Sequence, residues 1–262
     1  MKLFHPFTVS TVIGLASISS LLAAPKWEEM DYGPFLSHTI NNAQGKTAFD
    51  QKGTAANKGI AIKLGKDSEA TMVFDTDLLR MAGGWTGGFL KLKGVVYEGG
   101  HGPNPQPADK VNMVFQTNVS PGWSKGGEFT DPRKVPTGPG AAKVPLGPLP
   151  KEWAKYRGLY LSGDNVVLAY TVNTAPVLEL PGSEKVADQT LLTRTFNVLR
   201  KGEASNLLVA EAQDGTTLAE QNGLIVMNDD PKNPDSRVVI GVVGAPLSAK
   251  LKVDGIRAQL NL

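Results

Sequence analysis

The sequence predicts an all-β fold: an antiparallel β-sandwich-like domain with long Gly/Pro-rich loops and at most one or two short helical turns. Short segments of alternating apolar and polar residues recur along the chain, and turn residues separate them. Glycine and proline are frequent, at 29 and 18 residues, and they concentrate between the alternating segments. The sequence contains no helical repeat and no coiled-coil heptads. These three observations together favour short strands joined by turns.

The composition is that of a globular protein. Hydrophobic residues make up 41% and charged residues 20% of the 262 residues, which can bury a sizeable core. The formal net charge of +2 gives no indication of a nucleic-acid partner. Cysteine is absent, which excludes disulfides, thiolate metal ligands and covalent haem attachment within this chain. Neither a dinucleotide-binding nor a P-loop motif is present, so nucleotide binding has no support. We predict no cofactor, and no metal ligand is assigned.

The N-terminus has the pattern of a signal peptide over residues 1–24. Lys2 precedes an apolar stretch over residues 7–22, and Ala23 and Ala24 provide small residues for cleavage. We therefore expect an exported chain, periplasmic or extracellular, with no membrane span after cleavage. Residues 25–262 are interpreted as a single β-rich domain.

The first elements after this segment follow from local patterns. Residues 57–65 alternate as a half-buried strand, and residues 70–75 are predicted as the second strand of the same hairpin. Residues 78–82 follow an Asp-Thr-Asp sequence and precede Gly83 and Gly84, which predicts one helical turn with a glycine stop. Residues 89–97 are predicted as the third strand.

Residues 98–150 form a loop-rich insert in which 19 of 53 residues are Gly or Pro. Only residues 111–116 within it have the pattern of a strand, and aromatic residues at this density usually anchor loops by burial. Further strands are predicted at residues 156–162, 166–172, 177–180, 191–199, 206–213, 224–228, 237–243, 250–254 and 256–262.

Three glycine-containing stretches, which between them hold Pro, Trp and charged residues, are expected to form one loop surface that recognises a partner. They are residues 74–89, 99–107 and 118–133. Trp85 and Trp123, together with Trp153, either offer flat faces to a sugar ring or fill the core, as tryptophan more often does.

Polar candidates for a ligand site lie in the same stretches. His101 is flanked by glycines and is either a metal ligand or a general base, or it is a loop histidine bonded to a nearby carbonyl. Asp131 and Arg133 flank a proline, and the pair either binds a ligand or forms a structural bond.

Five carboxylates are candidates for general acid/base work, because glycosidases use two carboxylates facing each other. Asp75 and Asp77 flank Thr76, and Glu98 and Glu128 join Asp131 as candidate partners. The alternative for the first two is that one carboxylate caps a turn. No catalytic residue is assigned.

The blocks MDYGPFLSHTI, KGIAIKLG, FDTDLLRMAGGWTGGFLKLKG, YEGGHGPNP, FQTNVSPGWSKGGEFTDPR and YRGLYLSGDNVVLAYTVN lie in order within residues 28–200. Together they resemble an uncharacterised exported bacterial domain, a domain of unknown function. That domain stands at the N-terminus of large proteins whose later parts resemble β-propeller dehydrogenases and c-type haem domains. This chain has no haem-attachment cysteines and too few residues after position 200 for a propeller. The resemblance implies an accessory domain, either a stand-alone copy or a truncated one.

We therefore expect an exported accessory or binding domain rather than an enzyme, with carbohydrate or a separate haem or propeller protein as partner. The alternative is a carbohydrate-active hydrolase that uses a carboxylate pair. A third interpretation is an assembly domain with an exposed apolar patch.

Overall fold

The computed structural model describes residues 32–41, 56–92, 104–141, 144–199, 205–213, 215–228 and 236–262. These residues lie within one compact unit, Asp31–Leu262. The predicted fold class is confirmed, because the described residues form antiparallel sheets and contain no helix beyond one 3-10 turn, Lys66–Ser68. The signal peptide predicted at residues 1–24 lies outside the described residues.

The strands are, in chain order, β1 (Phe35–Ile40), β2 (Ala56–Leu64), β3 (Ala70–Asp75), β4 (Arg80–Thr86), β5 (Leu90–Lys91), β6 (Gln106–Pro107), β7 (Asn112–Gln116), β8 (Ala154–Ser162), β9 (Asn165–Val172), β10 (Ala175–Val186), β11 (Gln189–Val198), β12 (Asn206–Glu211), β13 (Leu218–Gln221), β14 (Leu224–Met227), β15 (Val238–Ile240), β16 (Lys250–Asp254) and β17 (Arg257–Asn261).

Two larger sheets carry most of the domain. The first has the strand order β1-β2-β3-β4-β7, and the second has the order β11-β10-β9-β8. Two three-stranded sheets, β12-β17-β16 and β13-β14-β15, and the short pair β5-β6 complete the described architecture. Neighbouring strands are mostly consecutive in sequence, so the sheets are built from hairpins, which the alternating segments and turn residues favour.

The inner faces of the two larger sheets share the main hydrophobic core. Ile60, Ile62 and Phe74 from the first sheet belong to the same buried cluster as Leu168 and Tyr170 from the second. The rings of Phe74 and Tyr170 are stacked with centroids 5.6 Å apart. Alternation in β2 directs every second residue into this core, as the sequence predicts.

The opposite face of the first sheet is also buried. Ala61, Val73 and Trp85 form a second cluster with Leu90, and Val111 packs against it. Strands β2, β3 and β4 are therefore covered on both faces, which explains why their sequences are more apolar than a half-exposed strand requires.

The predicted helical turn at residues 78–82 is wrong. The chain makes a tight turn over residues 76–79 and then enters strand β4, which continues through Gly83 and Gly84. A Cβ atom on Gly84 would lie 2.5 Å from Phe115 Cε1 and 2.7 Å from Leu192 Cδ1. This glycine leaves room for neighbouring side chains and does not end a helix.

The prediction that residues 74–89 belong to a loop surface is therefore wrong, because these residues lie mainly in strands of the first sheet. The third strand, predicted at residues 89–97, is described only as β5, and residues 93–97 lie outside the described part of the chain.

Candidate functional site

Asp75 and Arg80 form a buried ion pair at the two ends of the β3–β4 turn. Asp75 Oδ2 lies 3.2 Å from Arg80 Nη2, and both side chains are almost fully buried. Asp75 Oδ1 accepts hydrogen bonds from the backbone N–H groups of Asp77 (3.0 Å) and Leu78 (3.4 Å). Arg80 Nη1 donates to the carbonyl oxygen of Thr117 at 3.0 Å. Asp75 thus closes a turn and neutralises an arginine.

Asp77 is a buried carboxylate whose pKa is raised above its ordinary value. Burial raises its pKa, the charge of Asp75 adds to that effect, and Lys58 and Arg133 oppose it. Its Oδ1 lies 3.6 Å from Lys58 Nζ, whereas its buried Oδ2 has no hydrogen-bond partner. This carboxylate is costly to ionise and sits beside a lysine at the protein surface.

Asp131 and Arg133 form the structural bond that was one of the two predicted alternatives. Arg133 Nε donates to Asp131 Oδ1 at 2.9 Å and Nη2 donates to Oδ2 at 2.8 Å. Arg133 Nη1 also donates to the carbonyl oxygen of Gly147 at 2.6 Å, so the guanidinium ties two parts of the long loop together. Glu128 is exposed, in a short turn with Lys125.

Trp85, Trp123 and Trp153 are 1%, 2% and 3% exposed. Trp85 Nε1 donates to the carbonyl oxygen of Gly88. The ring of Trp123 meets Tyr170 edge-on, with centroids 6.2 Å apart. The core-filling alternative is therefore the one observed, and these rings offer no exposed face. His101 and Glu98 lie outside the described residues.

An open pocket of about 340 Å³ lies where strands β1 and β2 of the first sheet meet β8 of the second. Sequence reasoning did not assign it, because its walls come from segments more than a hundred residues apart. Its lining residues are Phe35, Ser37, His38, Thr39, Asn57, Lys58, Ile60, Thr76, Tyr156 and Leu159.

The pocket combines ring faces with polar groups. Phe35 and Tyr156 are both half-buried, and the ring of Tyr156 is held against Phe74 with centroids 6.2 Å apart. Burial raises the pKa of Tyr156 above its ordinary value, and the phenol is a hydrogen-bond donor at neutral pH. His38 Nδ1 lies 2.9 Å from the carbonyl oxygen of Thr39 and donates to it, which makes Nε2 the acceptor in the neutral ring.

The described ranges contain neither a candidate metal site nor a candidate membrane-spanning helix. No group of three or more His, Cys, Asp or Glu side chains there could hold a metal ion. No helix in the described ranges is long and apolar enough to cross a membrane.

The fold and the pocket define the class: an all-β, sandwich-like domain with an open, partly aromatic pocket at one edge. Residues 72–179 match the family described as "Domain of unknown function (DUF6797)". The match includes Asp75, Asp77 and Tyr156 but not Phe35 or His38, and nothing in it concerns propeller or haem domains. Comparison with curated proteins and with solved structures finds no match.

Proposed function

We propose that this domain is a binding module and that its ligand site is the pocket between β1, β2 and β8. The observation that supports the proposal is the lining of this pocket, in which two half-buried rings stand beside hydroxyl, amide, imidazole and ammonium groups. Ligand sites commonly pair apolar walls with a small number of convergent polar groups.

The proposed ligand class is carbohydrate. A sugar ring presents apolar C–H faces together with hydroxyl groups, and an open pocket with both ring faces and hydrogen-bonding side chains is complementary to that mixture. Phe35 and Tyr156 supply the rings, while His38, Asn57 and Lys58 supply donors and acceptors.

A hydrolase with a carboxylate pair receives less support from this geometry. Such enzymes place two carboxyl groups roughly 5–10 Å apart across the scissile bond, where substrate reaches both. Asp75 is buried against Arg80, and Asp131 is bonded to Arg133. None of the described carboxylates lines the pocket.

The proposal is tested by calorimetric titration of the purified chain with a panel of neutral and acidic oligosaccharides. Tyr156→Ala is expected to weaken binding about tenfold, since an aromatic contact of about 1.5 kcal/mol corresponds to that factor. His38→Ala tests a second wall of the pocket. The matched control is Tyr160→Ala, which removes a tyrosine of the same strand that is 63% exposed and does not line the pocket.

Two results would contradict the proposal. One is the absence of binding to every oligosaccharide in the panel. The other is binding that Tyr156→Ala and His38→Ala leave unchanged while both variants keep the wild-type circular dichroism spectrum.

Association with a haem or propeller protein and export to the periplasm or exterior stay predictions. The first rests on the resemblance and the second on the signal-peptide pattern of residues 1–24. Mass spectrometry of the mature chain expressed with its natural N-terminus tests export, for which cleavage after Ala23 or Ala24 is the expected result.

A further inference from the structure

The segment between β15 and β16 exposes apolar side chains to an unusual degree. All residues from 241 to 248 are exposed. Val243 is 95% exposed and Leu247 is 100% exposed, the highest values among the large hydrophobic residues of the described chain. Exposed apolar side chains that are scattered singly need no explanation, whereas a group of them marks an interaction site. Here Val242, Val243 and Leu247 are exposed within one six-residue segment.

The base of this segment, which we call the 241–248 loop, is fixed to the domain. The backbone N–H of Ala249 donates to the carbonyl oxygen of Pro246 at 2.8 Å, which closes a turn with Leu247 at its corner. Ala249 itself packs against the main hydrophobic core. The exposure of Leu247 therefore follows from a defined turn whose end is anchored by packing.

Basic residues follow the loop directly. In β16, Leu251 packs against the hydrophobic core, whereas alternation leaves Lys250 and Lys252 on the exposed face. The nearby carboxylates accept hydrogen bonds from the protein: Asp254 from the side chain of Gln259, and Glu220 from the backbone N–H of Val253. The whole stretch from 236 to 262 has four Lys or Arg and one acidic residue.

We propose that the 241–248 loop is a membrane-surface contact that inserts Val243 and Leu247 into the headgroup region of an anionic lipid layer. Lys250 and Lys252 then lie at the level of the phosphate groups and are attracted to them. Apolar side chains that enter the interface beside basic residues are the usual chemistry of peripheral attachment. This inference is independent of the proposed carbohydrate pocket.

A lipid surface fits the loop better than a protein partner does. A stable protein interface buries about 800 Å² on each side, with an apolar core formed by several side chains. The loop offers two fully exposed apolar side chains, with Val242 partly exposed beside them. A short apolar tip with adjoining cations is sufficient for weak, reversible attachment to anionic lipid.

The experiment is cosedimentation of the chain with vesicles of phosphatidylcholine alone and of phosphatidylcholine with phosphatidylglycerol. We expect binding to the anionic vesicles that decreases when the salt concentration rises, because salt screens the lysines. Val243→Ser/Leu247→Ser is expected to weaken binding at least tenfold, from the lost apolar transfer. Lys250→Gln/Lys252→Gln is expected to remove the preference for anionic vesicles. Val186→Ser, an exposed apolar position in β10, is the control and leaves binding unchanged.

The loop substitutions lie at fully exposed positions, so folding is retained and the comparison remains interpretable. Failure to bind anionic vesicles at millimolar lipid overturns the proposal, and so does binding that the serine variant retains in full. Sedimentation velocity of the wild type and the serine variant addresses a protein contact. Self-association that only the serine variant loses would assign the loop to an interface between copies and would overturn the lipid assignment.

Discussion

Replacing Arg80 by methionine removes the central cation of the buried β3–β4 turn network. Arg80 is fully buried and holds Asp75 Oδ2 at 3.2 Å and the carbonyl oxygen of Thr117 at 3.0 Å. Methionine fills most of the volume of the arginine side chain, but it leaves the Asp75 carboxylate buried without the guanidinium that neutralises it. Breaking a buried ion pair on one side costs about 3–5 kcal/mol, which is a large fraction of the roughly 5–15 kcal/mol of a typical domain.

Urea unfolding followed by fluorescence and circular dichroism measures this cost. The matched control is Lys91→Met, which breaks the 2.9 Å pair with Asp109 at the surface and is expected to cost at most about 1 kcal/mol. The double variant Arg80→Met/Asp75→Asn is expected to be more stable than Arg80→Met alone, because it removes the uncompensated charge. An Arg80→Met variant that loses no more stability than Lys91→Met would refute the reasoning.

Two further predictions concern the same region. Gly122→Ala would place a Cβ atom 2.1 Å from the carbonyl oxygen of Leu79, so we expect urea unfolding to show a loss of at least about 2 kcal/mol in unfolding free energy. The control is Gly126→Ala, which has open space around the new Cβ but a φ of 59° and should cost about 1 kcal/mol. Equal losses for the two variants would contradict this prediction. Asp77 has a folded pKa above its ordinary value of 3.8, first from burial and then from the charge of Asp75, so its ionisation destabilises the fold as the pH rises above that value. Asp77→Asn should therefore raise the urea midpoint at pH 7, and the gain should shrink towards pH 3.5; a pH-independent difference would argue against the raised pKa.

The hairpins could be predicted from sequence because their information is local. Residues 70–75 and 250–254 are predicted strands bounded by turn residues, and the observed strands have the same bounds. The stretch around Gly83 and Gly84 could not be predicted in this way. The space that a side chain at Gly84 would need is occupied by Phe115 and by Leu192 of the second sheet, and no local pattern carries that information.

The lining of the pocket and the burial of the tryptophans both depend on contacts between residues that are far apart in the sequence. Trp123 lies in a loop by sequence, yet it pairs with Leu207 in an isolated bridge and fills the core against Tyr170. Phe35 and Tyr156 meet only because β1 and β8 are placed at one edge of the sandwich. The sequence identifies aromatic and polar residues that could bind a ligand. Which of these residues face solvent depends on how strands distant in the sequence pack together.

The most direct test of the central claim is backbone amide chemical-shift mapping during titration with an oligosaccharide that binds. We expect saturable shifts that cluster at residues 35–39, 57–60 and 156–159, around the pocket. Shifts that cluster on another face of the domain, with these three segments unchanged, would contradict it.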